Sequence, residues 1–433
     1  MSASETPPGW PRPATAWYLV AALMVAYIFS FVDRSILALL VGPIRRDLGI
    51  SDTQISLLHG FAFAIFYTFL GIVIARAADR GNRRNIIVGG IAIWSIMTAA
   101  CGLARNFLQL FFGRIGVGVG EAALSPAAYS MIADSFPKQR LSRALSVYTI
   151  GLPMGAGLAL VIGGVVVQIV TGTSEYQVPM VGAMKAWQVT FLIVGLPGLL
   201  VAAWLLTLPE PVRRHAAGAA TFRETLRFMR SRGRAYACHI FGFAIFGLAM
   251  NSMTAWGPTF FVRVFGLPVR EAGLAVGGAF TLAGTAGILA GGWLADELRW
   301  RGHTDATLRA GLVAAIALVP CGMLVAQMPS PVAATALMFP TAFLMTFPFG
   351  AAAAGIQALT PGPMRAQASA IYLFFVNLIG IGIGPTATAL LTDRLFGADT
   401  AVGYSLSLMC GLAPAVAALL LWRGLAHFRA AVG

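Results

Sequence analysis

The chain has 433 residues, of which 58% are hydrophobic and 11% charged, with a mean hydropathy of +0.79. No soluble domain can dress such a composition in a polar surface, so a polytopic membrane protein is expected and a soluble globular enzyme is excluded. The net charge of +14 comes from basic residues scattered over short connecting segments, not gathered into a patch, and this argues against a nucleic-acid partner.

A membrane-spanning helix needs about 20 mostly apolar residues, and twelve stretches qualify. In chain order they are Ala16 to Leu40, Ile55 to Ala78, Asn85 to Ala104, Phe107 to Ile132, Leu141 to Val170 and Ala186 to Leu208. After a polar break follow Tyr236 to Phe265, Gly273 to Ala295, Thr307 to Met328, Val332 to Leu359, Ala366 to Leu391 and Val402 to Ala426. The expected fold is therefore all-α, with twelve transmembrane helices in two six-helix bundles: residues 1–208, a basic linker 209–235, and residues 236–433. If both termini are cytoplasmic, 21 basic residues fall in inner segments against 7 in outer ones, as the positive-inside rule requires. That reading places the chain in a cell membrane, with a bacterial inner membrane expected. The first apolar run is too long for a cleavable signal and continues into a charged, retained segment. Cys101, Cys238, Cys321 and Cys410 all fall in predicted spans without paired spacing, so neither a disulfide framework nor a zinc site is indicated. Within the linker, Phe222, Leu226 and Met229 recur at helical spacing, which suits either a short amphipathic helix on the inner leaflet or a plain solvated connection.

The two halves repeat one another. Asp79-Arg80-Gly81-Asn82-Arg83-Arg84 follows the second span, and Asp296 with Arg299 and Arg301 follows the eighth. Pro137, Ala144 and Tyr148 after the fourth span are echoed by Pro361, Ala368 and Tyr372 after the tenth. An internal duplication that frames a central site accounts for such an offset. The loop from Asp79 to Arg84 resembles the inner-loop signature of the major facilitator superfamily. The resemblance implies a gating role for Asp79, Arg80, Arg83, Arg84 and Asp296, in which a carboxylate caps a helix or pairs with arginine in one state. A simple topology anchor is the alternative.

Only Asp33, Arg34, Arg114 and Glu121 lie deep inside apolar runs. Ionisable groups persist there mainly where they pair or line a polar cavity. Phe31-Val32-Asp33-Arg34 together with Arg114-Ile-Gly-Val-Gly118-Val-Gly120-Glu121 resembles the Spinster branch of that superfamily, whose members move lysophospholipids and sphingosine-type lipids. From helix geometry, Arg114 and Glu121 are seven residues apart and share one face, about 10.5 Å apart along the axis, as two levels of a cavity wall. Asp33 and Arg34, about 100° apart, must point different ways. Asp33 and Glu121 are the candidate proton carriers, with Arg34 and Arg114 as alternating partners or headgroup anchors; a static salt-bridge network is the alternative. Gly116 and Gly120 form a small-xxx-small pair for helix approach.

The second half has no charge at depth. Phe243, Met250, Asn251, Phe347, Phe374 and Asn377 are its candidate substrate contacts, in a wall suited to an acyl tail, although such residues also serve as packing. The glycines of the fifth span, with Pro153, read as packing or hinge, and His59 and His239 as structural or coupling residues. No nucleotide loop, metal cluster or nucleophile with a base is visible, so neither an enzyme nor any cofactor is expected. The expected activity is alternating-access transport of a lysolipid or other amphiphile, coupled to protons, by a monomer in contact with membrane lipid. A carrier of hydrophobic drugs or organic anions, and a passive lipid scramblase or channel, are the alternatives.

Overall fold

The computed structural model describes residues 10–173, 175–178, 182–213 and 221–432. The linker residues 214–220 and the Asp79 and Arg80 side chains lie outside the described residues. Among the described residues, twelve helices are long and apolar enough to cross a membrane. Spans 1 to 6 are Pro13–Leu39, Asp52–Gly71, Arg83–Cys101, Phe107–Ser135, Arg143–Val170 and Ala186–Leu205. Spans 7 to 12 are Gly233–Phe265, Val269–Trp300, Ala306–Gln327, Pro331–Leu359, Gln367–Phe396 and Asp399–Val432. Helices satisfy their own backbone groups, which is what hydrocarbon demands.

One end of the bundle, the linker end, carries the segment between spans 6 and 7. The far end carries the connections between spans 1 and 2, 7 and 8, and 11 and 12. The apolar cores differ between the two ends. Toward the far end a single core joins both sets of spans, bringing Ile36 and Leu39 together with Phe260, Ala272 and Val276. Toward the linker end there are two cores. One is built almost wholly from spans 1 to 6, around Trp94, Met131 and Tyr148. The other is built from the linker helix and spans 7 to 12, around Tyr236, Tyr372 and Phe428. Among the described residues, the apolar core is thus shared by the halves at one end and divided at the other.

Several spans are irregular. π-helical turns interrupt span 2 at Leu57–Phe61, span 8 at Phe280–Gly284 and span 11 at Leu378–Ile383, and Pro153 lies inside span 5. Glycines let these spans touch. A Cβ on Gly60 would lie 2.5 Å from the Ile381 carbonyl oxygen, and one on Gly157 would lie 2.5 Å from the Gly277 carbonyl oxygen. Hydropathy is blind to two features of the far end, the short helix Val41–Leu48 and an antiparallel pair of strands, Glu175–Val178 with Gly182–Lys185. Span 8 also runs past its predicted end. Its sequence stays helix-compatible to Trp300 and then turns at Gly302 (φ 87°), whereas the helix of span 2 stops at Arg80, before Gly81.

Candidate functional site

Span 1 carries Asp33 and Arg34 in different directions, as the turn of about 100° between adjacent helical positions requires. Asp33 is 1% exposed and directed into the first half. Its carboxylate lies beside the Trp94 indole N–H, outside strict hydrogen-bond geometry, with the Arg114 guanidinium as its neighbouring cation. Arg34 keeps contact with the space between the halves, with its side chain 17% exposed. It is paired with the Glu121 carboxylate. Its guanidinium lies 4.3 Å from the Phe63 ring centroid, 4.9 Å from that of Phe31 and 5.6 Å from that of Tyr67. An arginine boxed by aromatic faces is held by its weak hydration and planar charge. Glu121 closes the first helical segment of span 4, Phe107–Glu121, before the helix resumes at Leu124. Its second oxygen has no partner among the described residues.

Arg114 differs from expectation. It shares the Glu121 face of span 4, yet that face at its level looks into the first half, and Arg114 is fully buried. Its guanidinium donates to the main-chain oxygens of Asp33 at 3.1 Å, Arg34 at 3.3 Å and Leu58 at 3.4 Å. It clamps spans 1 and 2 to span 4 and is not a wall of the cavity. Gly120 serves the close approach expected of it, since its Cβ would fall 2.6 Å from the Gly90 carbonyl oxygen of span 3.

The candidates of the second half divide. Phe374 is half-buried and meets Phe69 of the first half edge to face, with centroids 5.5 Å apart. Asn377 and Asn251 are also half-buried, and the Asn251 amide donates to the Gly247 oxygen at 2.8 Å. Met250 and Phe347 are 8% exposed, within the shared core. Phe243 is fully buried against the His239 ring at 4.8 Å, so it is core and not cavity lining. It falls on the face of span 7 that packs against spans 9 and 12, which aromatic content alone does not reveal.

The gating candidates also divide. Arg83 is fully buried and bound to Asp134, to Glu210 at 2.7 Å and to the Pro211 oxygen at 2.7 Å. The Arg84 N–H donates to Glu210 at 2.9 Å, and its guanidinium to the Leu206 and Leu208 oxygens at 3.2 Å. Both arginines therefore tie spans 3, 4 and 6 together within one half, and among the described residues they bridge nothing between the halves. Asp296 is exposed inside the extended helix of span 8.

Two groups escaped sequence reasoning. The first is a tyrosine cluster beside Arg34, with Tyr27 stacked on Tyr148 at 5.0 Å and Tyr129 edge-on to Tyr148 at 5.3 Å. The spacing Tyr27, Phe31, Arg34 is a one-face stripe that would have found part of it. The second is an ion network at the far end. Asp52, fully buried, accepts from Arg263 at 2.5 and 2.8 Å and lies 3.2 Å from Arg45. Arg45 also reaches Asp399 at 2.8 Å, while Thr53 donates to Asp393 at 2.7 Å through both its N–H and its hydroxyl. Burial alone would pull the Arg45 guanidinium down; the Asp399 bond and the Asp52 charge outweigh it and hold it above its ordinary range. Asp52–Arg263, Arg45–Asp399 and Thr53–Asp393 join the two halves, while Arg45–Asp52 lies within the first. Among the described residues no cluster of three His, Cys, Asp or Glu is arranged to hold a metal.

Twelve spans in two sets, joined at one end around buried charge and with separate apolar cores at the other, define a secondary transporter rather than an enzyme. The sequence profile of the Major Facilitator Superfamily matches residues 23–385, and the chain belongs to that family. It is 30% identical to an MFS-type efflux pump of Mycolicibacterium smegmatis over 96% of this chain and 94% of that relative. It is 29% identical to human Protein spinster homolog 1 over 58% of this chain, spanning 47% of that relative. Among solved structures it resembles a bacterial homologue of the human lysosomal transporter Spinster, described as inward-facing and unoccupied. That match has a TM-score of 0.78 and 26% identity over 98% of both chains. The occupied inward-facing form of a bacterial Spinster homologue gives a TM-score of 0.76 over 97% of both chains.

Proposed function

We propose that the chain moves a lysophospholipid, sphingosine-type lipid or similar amphiphile by proton-coupled alternating access. The observation that carries the reading is the Arg34–Glu121 pair in its aromatic box, with the buried Asp33 carboxylate on the adjacent residue. A proton arriving on Glu121 weakens its hold on Arg34, and the freed guanidinium is then available to an anionic headgroup. Phe69 and Phe374 offer an apolar surface to the tail. In this reading residues 1–208 and 236–433 are the rocking halves and 209–235 the connection. The linker end and both termini are cytoplasmic, and the state described is inward-facing. The Spinster likenesses support the lipid cargo.

The likeness to an efflux pump over nearly the whole chain favours a second cargo, a hydrophobic drug or organic anion, on the same machinery. Purified protein in proteoliposomes, given a panel of lysolipids, sphingoid lipids and drugs with and without a pH gradient, tests both. Saturable lipid flux that steepens with the gradient supports the lipid reading. Drug flux alone replaces the cargo, and lipid flux indifferent to the gradient and to saturation means a passive scramblase.

A further inference from the structure

The polar break between the halves contains a second binding feature, on the outside of the bundle. Phe222–Ser231 forms a helix, capped at its start by the reciprocal bonds of Thr221 and Glu224. At about 100° per residue its circumference divides into three strips. Thr225 and Met229 are buried against the second half. Next round come Phe222 and Leu226, 57% and 41% exposed. Beyond these lie the exposed Arg223, Arg227 and Arg230. A helix with a protein side, an apolar side and a basic side is built for a three-way boundary of protein, hydrocarbon and headgroups.

Where this helix ends, a shallow pocket opens against the last turns of span 12, lined by Arg230, Ser231, Arg232, Arg234, His427 and Ala430. None of its three arginines is paired with a carboxylate among the described residues, and Arg232 rests on the Phe228 ring at 4.2 Å. The depth of the pocket follows from span 12. Val402 to Trp422 is about 30 Å of helix, the thickness of the hydrocarbon core. Trp422 and Trp300, 61% and 89% exposed, lie toward the linker end, where interfacial tryptophans belong. His427 is five residues beyond Trp422, about 7.5 Å further along the helix and level with phosphates.

We propose that this pocket binds the phosphate headgroup of an anionic phospholipid of the bordering leaflet, while Phe222 and Leu226 enter its acyl region. Charge complementarity selects the lipid, because three unpaired arginines and an apolar strip suit a phosphodiester with tails and offer a zwitterionic headgroup no carboxylate for its cation. The lipid held here is a fixed ligand of the linker and is separate from any transported cargo.

Native mass spectrometry of the full chain in detergent, titrated with dioleoylphosphatidylglycerol or with phosphatidylcholine of the same tails, tests the proposal. At least tenfold preference for phosphatidylglycerol at one tight site is expected. The combined Arg230→Gln, Arg232→Gln, Arg234→Gln variant should retain one fewer anionic lipid, and the corresponding three-lysine variant should keep it. Phe222→Ser with Leu226→Ser should weaken phosphatidylglycerol binding while phosphatidylcholine binding stays weak. Equal affinity of the wild type for the two lipids would overturn the proposal even if the glutamine variant does not fold. So would displacement of the lipid by millimolar inorganic phosphate, which would make this a free-anion site.

Discussion

Each buried charge in the first half has a different neighbourhood, and the neighbourhoods predict different phenotypes. Glu121 has one oxygen on Arg34 and one without a partner among the described residues, while the Asp33 carboxylate lies beside the Trp94 indole and the Arg114 charge. Replacing either carboxylate with its amide keeps shape and removes the proton. Glu121→Gln and Asp33→Asn are therefore expected to lower gradient-driven uptake in proteoliposomes at least tenfold while substrate binding changes less than threefold. Full pH-driven uptake in both variants would make the charges purely structural. Arg34→Lys separates charge from shape at the same place. Lysine keeps the cation but loses the planar fit to Phe31, Phe63 and Tyr67, so binding of a phosphate-bearing lipid should fall about tenfold, or about 1.4 kcal/mol. Arg34→Ala should fall further, and equal affinities for the wild type and both variants would remove Arg34 from the site.

At the scale of elements, the irregular spans are the ones that join the halves. π-helical turns in spans 2, 8 and 11 and Pro153 in span 5 accompany glycines that let main chains touch across the seam. Such turns loosen the helical ladder where a span must bend. Gly60→Ala would force its methyl to 2.5 Å from the Ile381 oxygen, a clash that parting of the far end would relieve. Spin labels on the exposed Arg46 and Arg394 positions should report a longer mean distance in this variant than in the wild type. An unchanged distance distribution would mean that the seam yields in some other way.

The twelve spans were legible because a run of about 20 apolar residues has one outcome in lipid. The orphaned charges were legible for the same reason. The orientation of Arg114 was not, because helical spacing says which residues share a face and not what that face meets. Asp52 was invisible at a span edge, where an aspartate reads as loop. Its burial depends on Arg263, 211 residues away.

Across the whole molecule, the far-end network is placed to hold the halves together there. Asp52 is fully buried between Arg263 and Arg45, whereas the Asp399 side chain is 60% exposed. An exposed ion pair contributes about 0–1 kcal/mol. Removing one member of a buried pair costs about 3–5 kcal/mol, because it strands the partner charge. In the open state water would reach Arg263, so the cost falls on the closed state alone and moves the equilibrium between them. Asp52→Asn should thus raise the ratio of far-end-open to far-end-closed molecules at least tenfold, read from the same pair of spin labels. Asp399→Asn should change it no more than about fivefold. Transport should slow in Asp52→Asn although the cavity residues are untouched, since the carrier would return to the closed state less often. If both variants keep the wild-type distribution and flux, the apolar core around Phe260 and Val276 closes the far end by itself, and the ion network is incidental.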